Sequence, residues 1–219
     1  IIPATRREKL LSRMNRGETL PYCRKTDYPM MPCVEIDLNF SLDYKAKDDG
    51  VRAVERLLEA ARPLIPTSAG NLFTLAPDDF LLHLCAHLYK EAAVYQWVRM
   101  GRDLSLYKFC DIDLIAAQAL QESTPEALAQ KIKGLALETA CAFSLSRTER
   151  LLGTNKRAGA GWTRLLQLLG ADPDEDVYEI LEPASGRVYE NKMDFVNWMF
   201  CADRLHRLQT VEKEDGNIE

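Results

Sequence analysis

The chain has 219 residues and a mass of 24.9 kDa, enough for one large domain with or without a small appendage. Hydrophobic residues make up 47% and charged residues 28% of the chain, and this ordinary composition excludes collagen-like, low-complexity and wholly disordered proteins. The formal net charge of −5 argues against a broad nucleic-acid-binding face.

The first third of the chain holds the clearest strand signal. Residues 5–17 predict a basic surface helix, and residues 20–32 are irregular. Residues 33–42 (CVEIDLNFSL) alternate strictly between apolar and polar side chains, which predicts a strand with one apolar and one polar face. The apolar face consists of Val34, Ile36, Leu38, Phe40 and Leu42.

After Asp43 the pattern becomes helical. A helix follows Gly50 and is broken at Pro63 and Pro66. The longest helix is predicted over 77–99. Pro77 is a favourable residue in the first turn of a helix, and the negative charges of Asp78 and Asp79 interact favourably with the helix dipole at its N-terminus. Further helices are predicted over 102–109, 111–121 (opened by Asp111), 124–133 (capped by Thr124) and 135–152 (ending at Gly153).

The last third adds shorter elements. We expect a flexible connection over 153–161, a helix over 162–169, a short strand over 177–181 and an amphipathic helix over 189–210. The fold class is therefore α+β and predominantly helical. The predicted domains are residues 1–48, which include the strand, a helical domain over 49–210, and a disordered tail over 211–219.

Two carboxylates share the polar face of the predicted strand. Alternation places Glu35 and Asp37 about 7 Å apart along it, with Asn39 next in line. Hard cations such as Mg²⁺ prefer carboxylate oxygens, so this pair is a candidate metal site. A solvated face of an edge strand would show the same pattern, and both interpretations stay open.

A second candidate lies on the long predicted helix. His83, His87 and Glu91 are spaced by four residues and therefore stack on one helix face, with Lys90 on an adjoining stripe. An HxxxH pair can bind zinc, but a third ligand and a HExxH-type base are missing. The pattern is equally compatible with a polar face lining a cleft and with ordinary structural histidines.

A third candidate follows that helix. Arg99, Arg102 and Asp103 are close enough in sequence for Asp103 to orient an arginine, which would suit a phosphate or carboxylate ligand. A simple intrahelical ion pair is the alternative.

The six cysteines indicate a reducing compartment. They form no CxxC pair, and most lie in apolar runs, which predicts buried thiols in a cytoplasmic protein. No apolar run has the length needed to span a bilayer, and the first residues lack the order of a signal peptide.

Three segments occur together in a recognisable order. The strand CVEIDLNFSL matches a pattern hydrophobic–Asp–Leu–His–aromatic, with Asp37 on the aspartate and Asn39 in place of the histidine. LAPDDFLLHLCAHLYKEA matches Leu–Pro–acid–Asp–Leu–Leu–His–Leu–Cys–X–His, with His83 and His87 on the two histidines. VRMGRDLSLYKFCDIDLI is similar to Arg–Trp–X–X–Asp–Leu, with Asp103 on the aspartate. Together they resemble the bacterial uncharacterised nucleotidyltransferases of the DNA polymerase beta superfamily.

The resemblance covers residues 33–115 and implies a transfer reaction. A nucleoside monophosphate would pass from a nucleoside triphosphate, with Mg²⁺, to an acceptor hydroxyl or phosphate. Residues 1–48 would be the C-terminal part of a small mixed sheet, with Asp37 as its third carboxylate, a metal ligand and general base, beside Glu35. The helical domain would close over nucleotide or acceptor through His83, His87, Lys90, Arg102 and Asp103.

One departure from the family pattern shapes the expectations. The first two carboxylates of the superfamily follow a Gly-Ser turn and lie on an Asp-X-Asp strand, and nothing before residue 33 matches. We therefore expect either the C-terminal part of a longer enzyme, inactive as given, or a chain that has lost catalysis.

Two other classes of function stay open. One is a non-catalytic binding or interaction module on the same scaffold, and the other is a metal-dependent hydrolase centred on His83, His87 and Asp103. For the transferase, the acceptor would be a small molecule or a protein, since the acidic pI argues against nucleic acid.

Overall fold

The computed structural model describes residues 22–36, 41–42, 48–67 and 70–211. The chain divides between Ala76 and Pro77 into two compact units, each described separately below. The predicted helix over 5–17 and the tail from residue 212 onward lie outside the described residues. The domain boundaries expected from the sequence are a different division of the chain and stay predictions.

The N-terminal unit begins with an antiparallel hairpin of β1 (Tyr22–Lys25) and β2 (Cys33–Ile36). The loop between them is closed by a hydrogen bond of 3.0 Å from the Thr26 amide to the Pro32 carbonyl. The predicted strand over 33–42 is confirmed over Cys33–Ile36, and residues 37–40 lie outside the described residues. Ser41 and Leu42 are described and do not lie in a strand, so the predicted C-terminal end of the strand is wrong.

The same unit contains helix α1 (Asp48–Glu59), which buries Ala53 and Leu57, and a second antiparallel hairpin. This hairpin pairs β3 (Arg62–Thr67) with β4 (Gly70–Thr74) and was not predicted. Pro63 and Pro66 lie inside β3, where the sequence suggested only a helix break. A two-stranded hairpin tolerates them because each strand is an edge and need not use every amide.

The C-terminal unit is built on three long helices. Helix α2 (Pro77–Ala92) packs against α4 (Leu106–Glu122) and α6 (Glu138–Leu152). Each helix contributes a stripe of side chains at helical spacing, which is the pattern of a buried face. The fully buried members include Leu82, Cys85, Leu88, Phe109, Ile112, Ala116, Cys141 and Leu145.

Two of the predicted helix ends, at Thr124 and at Gly153, are confirmed. Helix α5 (Pro125–Gly134) begins after Thr124, whose hydroxyl accepts a hydrogen bond of 3.2 Å from the Ala127 amide. Helix α6 ends at Leu152 and is capped by Gly153, which has a left-handed φ of 62°. Two more helices follow, α7 (Asn155–Ala158) in the expected flexible connection and α8 (Ala160–Leu169).

The helix predicted over 77–99 is interrupted, so that prediction is wrong in its length. Helix α2 ends at Ala92, and a short helix, α3 (Tyr95–Arg99), follows. The extended residue Val94 forms a parallel bridge to Leu181 in strand β5 (Tyr178–Glu182). The Leu181 amide donates a hydrogen bond of 2.8 Å to the Ala93 carbonyl. This tertiary hydrogen bond takes the place of hydrogen bonds within a continuous helix.

The two helices predicted over 102–109 and 111–121 are one helix, α4. Asp111 was expected to open the second of them, but it is an exposed residue inside α4. An aspartate on a solvated helix face satisfies its carboxylate with water, so it need not end the helix.

The helix predicted over 189–210 is also wrong. Strand β5 pairs with β6 (Arg187–Asn191), which pairs with β7 (Gln209–Thr210) in an antiparallel sheet. Helix α9 (Phe195–Phe200) and a 3₁₀ turn (Arg204–Arg207) lie between β6 and β7. Local hydrogen bonds from polar side chains explain this difference. The Asn191 side chain donates to the carbonyl of Met193 and accepts from its amide. The Asp194 carboxylate caps α9 by accepting a hydrogen bond of 2.9 Å from the Asn197 amide.

The predicted fold class is confirmed: the described residues form a predominantly helical α+β structure with three small antiparallel sheets. No helix among these residues combines the length and the apolar character that a bilayer span requires. Among the residues whose side chains the structure describes, the cysteines are free thiols, namely Cys33, Cys85, Cys110, Cys141 and Cys201.

Candidate functional site

An aromatic stripe runs along one face of α2. The ring of His83 stacks on Phe80 at a centroid distance of 6.4 Å and on His87 at 6.2 Å, with 15° between planes in both pairs. The predicted alignment of the two histidines on one helix face is therefore confirmed. The His87 side chain is 43% exposed, so this stripe is accessible to solvent.

The stripe continues into a buried ion pair. Glu91 lies one turn beyond His87, with 3.5 Å between His87 Nε2 and Glu91 Oε2, and its side chain is only 7% exposed. Glu91 accepts a hydrogen bond from Lys108 of α4. Lys108 Nζ also donates to the carbonyl oxygens of Arg102 at 2.7 Å and Asp103 at 3.2 Å. One lysine thus joins the histidine face to the loop between α3 and α4.

That loop contains a second buried ion pair. Asp103 is 0% exposed, and its Oδ1 accepts a hydrogen bond from Arg204 of the 3₁₀ turn. The Arg204 guanidinium lies 5.7 Å from the ring centroid of Trp198, whose indole N–H donates 2.7 Å to the Tyr178 hydroxyl. The sequence indicated that Asp103 orients Arg99 or Arg102, but the arginine it holds is Arg204.

Burial dominates the electrostatics of this pair. Desolvation raises the pKa of Asp103 above its usual value, although the charge of Arg204 acts in the opposite direction. Burial, followed by the charge of Asp103, also raises the pKa of the Tyr178 phenol. Among the described residues, Asp103 Oδ2 accepts no hydrogen bond. The Asp103 carboxylate is therefore buried, and Arg204 is the cation that contacts it.

The two remaining predicted contact residues differ in accessibility. Arg102 is exposed, and its guanidinium lies 5.5 Å from the Trp97 ring centroid, a cation–π contact. Lys90 is buried. Of the five residues expected to contact nucleotide or acceptor, His83, His87 and Arg102 reach solvent, whereas Lys90 and Asp103 do not.

Sequence reasoning missed Lys108 and Arg204. Lys108 carried a usable signal, because it lies four residues before Ile112 on the apolar stripe of α4, where a lysine needs an internal partner. Arg204 carried none. Its partner Asp103 is 101 residues away, and local spacing contains no information about such a contact.

The carboxylates expected to bind metal lie in the N-terminal unit. The backbone of Glu35 pairs with Cys23 in the first hairpin, and β2 ends at Ile36. Asp37 follows directly and lies outside the described residues. By donor chemistry, two carboxylates separated by one residue suit Mg²⁺, which prefers hard oxygen ligands.

The part of the chain that the structure describes contains no group of three or more histidine, cysteine or carboxylate side chains arranged to hold a metal ion. His83, His87 and Asp103 are all among the described residues. These three residues are therefore not gathered into a three-ligand metal site.

His83 gives the histidine face a pH dependence. Burial lowers the pKa of His83 below 6.5, and the charges of His87 and Lys90 lower it further. When the pKa of a histidine is lower in the folded protein than in the unfolded chain, its contribution to stability is fully present at pH values above the unfolded-state pKa. That contribution is lost as the pH falls through the folded-state pKa. We expect His83→Gln to reduce the loss of unfolding free energy between pH 7.5 and 5.0 in urea titrations. An equal loss of unfolding free energy in the unchanged protein and in His83→Gln would contradict the assignment.

Comparison with known families identifies the class of the chain. A family described as uncharacterised nucleotidyltransferase matches residues 8–153, so the chain belongs to the uncharacterised nucleotidyltransferase family. The match contains the expected site residues of both units, namely Glu35, Asp37, His83, His87, Lys90, Arg102 and Asp103. Searches among curated proteins and among solved structures find no match.

Proposed function

We propose that the protein transfers a nucleoside monophosphate from a nucleoside triphosphate to an acceptor hydroxyl or phosphate, with Mg²⁺. In the reaction, an acceptor oxygen bonds to the α-phosphorus, the bond from that phosphorus to the bridging oxygen breaks, and pyrophosphate leaves with the electron pair. The observation that carries this proposal is the family match over residues 8–153.

The roles of the carboxylates follow from their chemistry. Glu35 and Asp37 would hold Mg²⁺, which supplies charge neutralisation at the triphosphate when bound. Asp37 would also accept the proton of the attacking hydroxyl, because a carboxylate within hydrogen-bond reach of that group can act as a general base.

The C-terminal unit would contact nucleotide or acceptor through its accessible polar face. His83 and His87 offer stacked imidazole rings, and Arg102 offers an exposed cation suited to phosphate. The buried residues would act by positioning these groups. Lys108 holds the backbone at Arg102 and Asp103, and Arg204 holds the Asp103 side chain.

The partners and the location are part of the same proposal. The acceptor would be a small molecule or a protein, because the acidic pI does not favour a polyanionic nucleic acid. The free thiols of the described cysteines fit a cytoplasmic location.

A transfer assay tests the proposal. The natural full-length protein is incubated with α-³²P-labelled nucleoside triphosphates, Mg²⁺, and separate extracts of small metabolites and of proteins from the source cell. We expect label to move to one acceptor fraction with release of pyrophosphate, and EDTA to stop it. Binding of the nucleotide without transfer to any fraction would instead indicate a non-catalytic module, and absence of nucleotide binding would overturn the proposal.

His87→Ala should weaken binding more than folding. The side chain is partly exposed and outside the core, so the melting temperature should change little, whereas loss of a stacking surface should weaken nucleotide or acceptor binding about tenfold. Calorimetric titration and thermal denaturation of the same preparation measure both effects. A large fall in melting temperature with unchanged affinity would show that His87 is structural.

A further inference from the structure

The ion pair between Asp103 and Arg204 brings two arginine-bearing segments of the C-terminal unit together. The first is the end of α3 with the loop that follows it, which carries Arg99 and Arg102. The second is the 3₁₀ turn, which carries Arg207 in addition to Arg204. Arg99, Arg102 and Arg207, the arginine cluster, are all exposed to solvent. Cations that are far apart in sequence are therefore accessible on one part of the surface.

The geometry of the 3₁₀ turn places Arg207 beside the loop. Such a turn has three residues per turn, so side chains three positions apart lie on the same side. Arg207 therefore projects from the same side as Arg204, about 6 Å further along the axis of the turn. Arg204 contacts Asp103, and Arg102 is the neighbour of Asp103 in the chain. The guanidinium groups of the cluster thus border a common surface.

Buried and backbone contacts hold the loop in place. Lys108 Nζ donates hydrogen bonds to the carbonyl oxygens of Arg102 at 2.7 Å and Asp103 at 3.2 Å. The Arg102 amide donates 3.1 Å to the Trp97 carbonyl, and the Arg102 guanidinium lies 5.5 Å from the Trp97 ring centroid. A backbone that is already ordered loses less conformational entropy when a ligand binds, so the loop is preorganised.

The charges of the cluster are not balanced locally. The two buried cations, Lys108 and Arg204, are each paired with a carboxylate. Among the described residues, no carboxylate forms an ion pair with any of the three exposed arginines. Residues 99–103 and 203–207 together carry four arginines and two aspartates, a net charge of +2 in a chain whose net charge is −5. This local excess of positive charge attracts an anion.

We propose that the arginine cluster binds the phosphate chain of a nucleoside triphosphate. Guanidinium groups form paired hydrogen bonds with phosphate oxygens, and several neighbouring arginines match the several negative charges of a phosphate chain. The inference rests on the proposed nucleotidyl transfer for the identity of the ligand. It adds to that site a residue, Arg207, that lies outside the family match over residues 8–153.

A comparison of probes tests whether the phosphate chain is what the protein recognises. Inorganic tripolyphosphate, ATP, adenosine and citrate are titrated into the full chain by calorimetry, with EDTA present so that no metal takes part. We expect tripolyphosphate and ATP to compete with each other and to bind about tenfold or more tightly than adenosine. Absence of tripolyphosphate binding would overturn the proposal. Equal affinity for citrate would also overturn it, since that result indicates attraction of any multiply charged anion.

Variants place the binding at the cluster. Arg207→Gln and Arg99→Gln should each weaken tripolyphosphate binding about tenfold, and the melting temperature should stay the same because both side chains are exposed. Arg187→Gln is the matched control, since Arg187 is an exposed arginine of β6 that lies opposite Glu182, away from the cluster. It should bind tripolyphosphate with unchanged affinity. Equal affinities in the three variants would show that the anion binds elsewhere.

The same variants separate this inference from the proposed transfer. Binding of ATP that depends on Arg207, without transfer of label to any acceptor, would support the phosphate site and contradict the transfer reaction. Transfer by Arg207→Gln with an unchanged KM for the nucleotide would support the reaction and overturn the phosphate site.

Discussion

Asp37→Asn is expected to lower the rate of nucleotidyl transfer by the natural full-length protein about 10³-fold or more. The substitution removes a charge that would hold Mg²⁺ and a proton acceptor for the attacking hydroxyl, and the loss of several kcal/mol of transition-state stabilisation corresponds to a factor of this size. The rate is measured as transfer of α-³²P label under saturating Mg²⁺. Folding should be unaffected, because the change preserves the size and shape of the side chain.

Asp27→Asn is the matched control for this prediction. Asp27 lies exposed in the loop between β1 and β2 and belongs to none of the segments that resemble the family. We expect this variant to keep the full rate. If Asp37→Asn also keeps it, Asp37 is not the third carboxylate, and if both variants lose it, the effect reflects local structure instead of metal binding.

Asp103→Ala should lower the free energy of unfolding by about 3–5 kcal/mol, because it leaves the charge of Arg204 buried without its carboxylate. The Arg204 side chain is only 11% exposed, so water cannot replace the lost partner fully. Urea titration at neutral pH measures the change. The double variant Asp103→Ala/Arg204→Met should lose less than the sum of the single variants, since it removes both charges together.

Asp111→Ala is the control for Asp103→Ala, since it is the same substitution at an exposed position eight residues further along the chain. It should change the unfolding free energy by no more than about 0.5 kcal/mol. Equal effects of the two substitutions would contradict a stabilising ion pair. The family resemblance implied that Asp103 contacts the nucleotide directly. The nucleotide affinity of the folded fraction of Asp103→Ala distinguishes that role from the structural one.

The sequence was sufficient to predict those parts of the fold that are determined by residues close together in the chain. Thr124 and Gly153 fix helix ends by satisfying backbone groups within a few residues, and period-two alternation identified the strand at Cys33–Ile36. Elements decided by distant contacts could not be predicted in the same way. The helix break at Val94 depends on β5, which comes more than 80 residues later in the chain.

The candidate site shows the same division. The alignment of His83, His87 and Glu91 follows from helical geometry, so the sequence was sufficient to predict it. The partner of Asp103 was not predictable, because the short distance to Arg99 and Arg102 in sequence suggested a local pair. The residues from Gly101, with a φ of 65°, to Asp103 turn the chain away from α3, and the buried carboxylate meets Arg204 instead.

The contact between Asp103 and Arg204 limits the modularity of the protein. The family match ends at residue 153, yet Arg204 and the Leu181 amide, which lie beyond it, satisfy groups inside it. A recombination boundary placed at residue 153 would therefore separate an acid from its cation and a carbonyl from its donor. Any segment exchanged into this position must bring a buried cation of its own, because the Asp103 carboxylate would otherwise stay buried without an opposite charge.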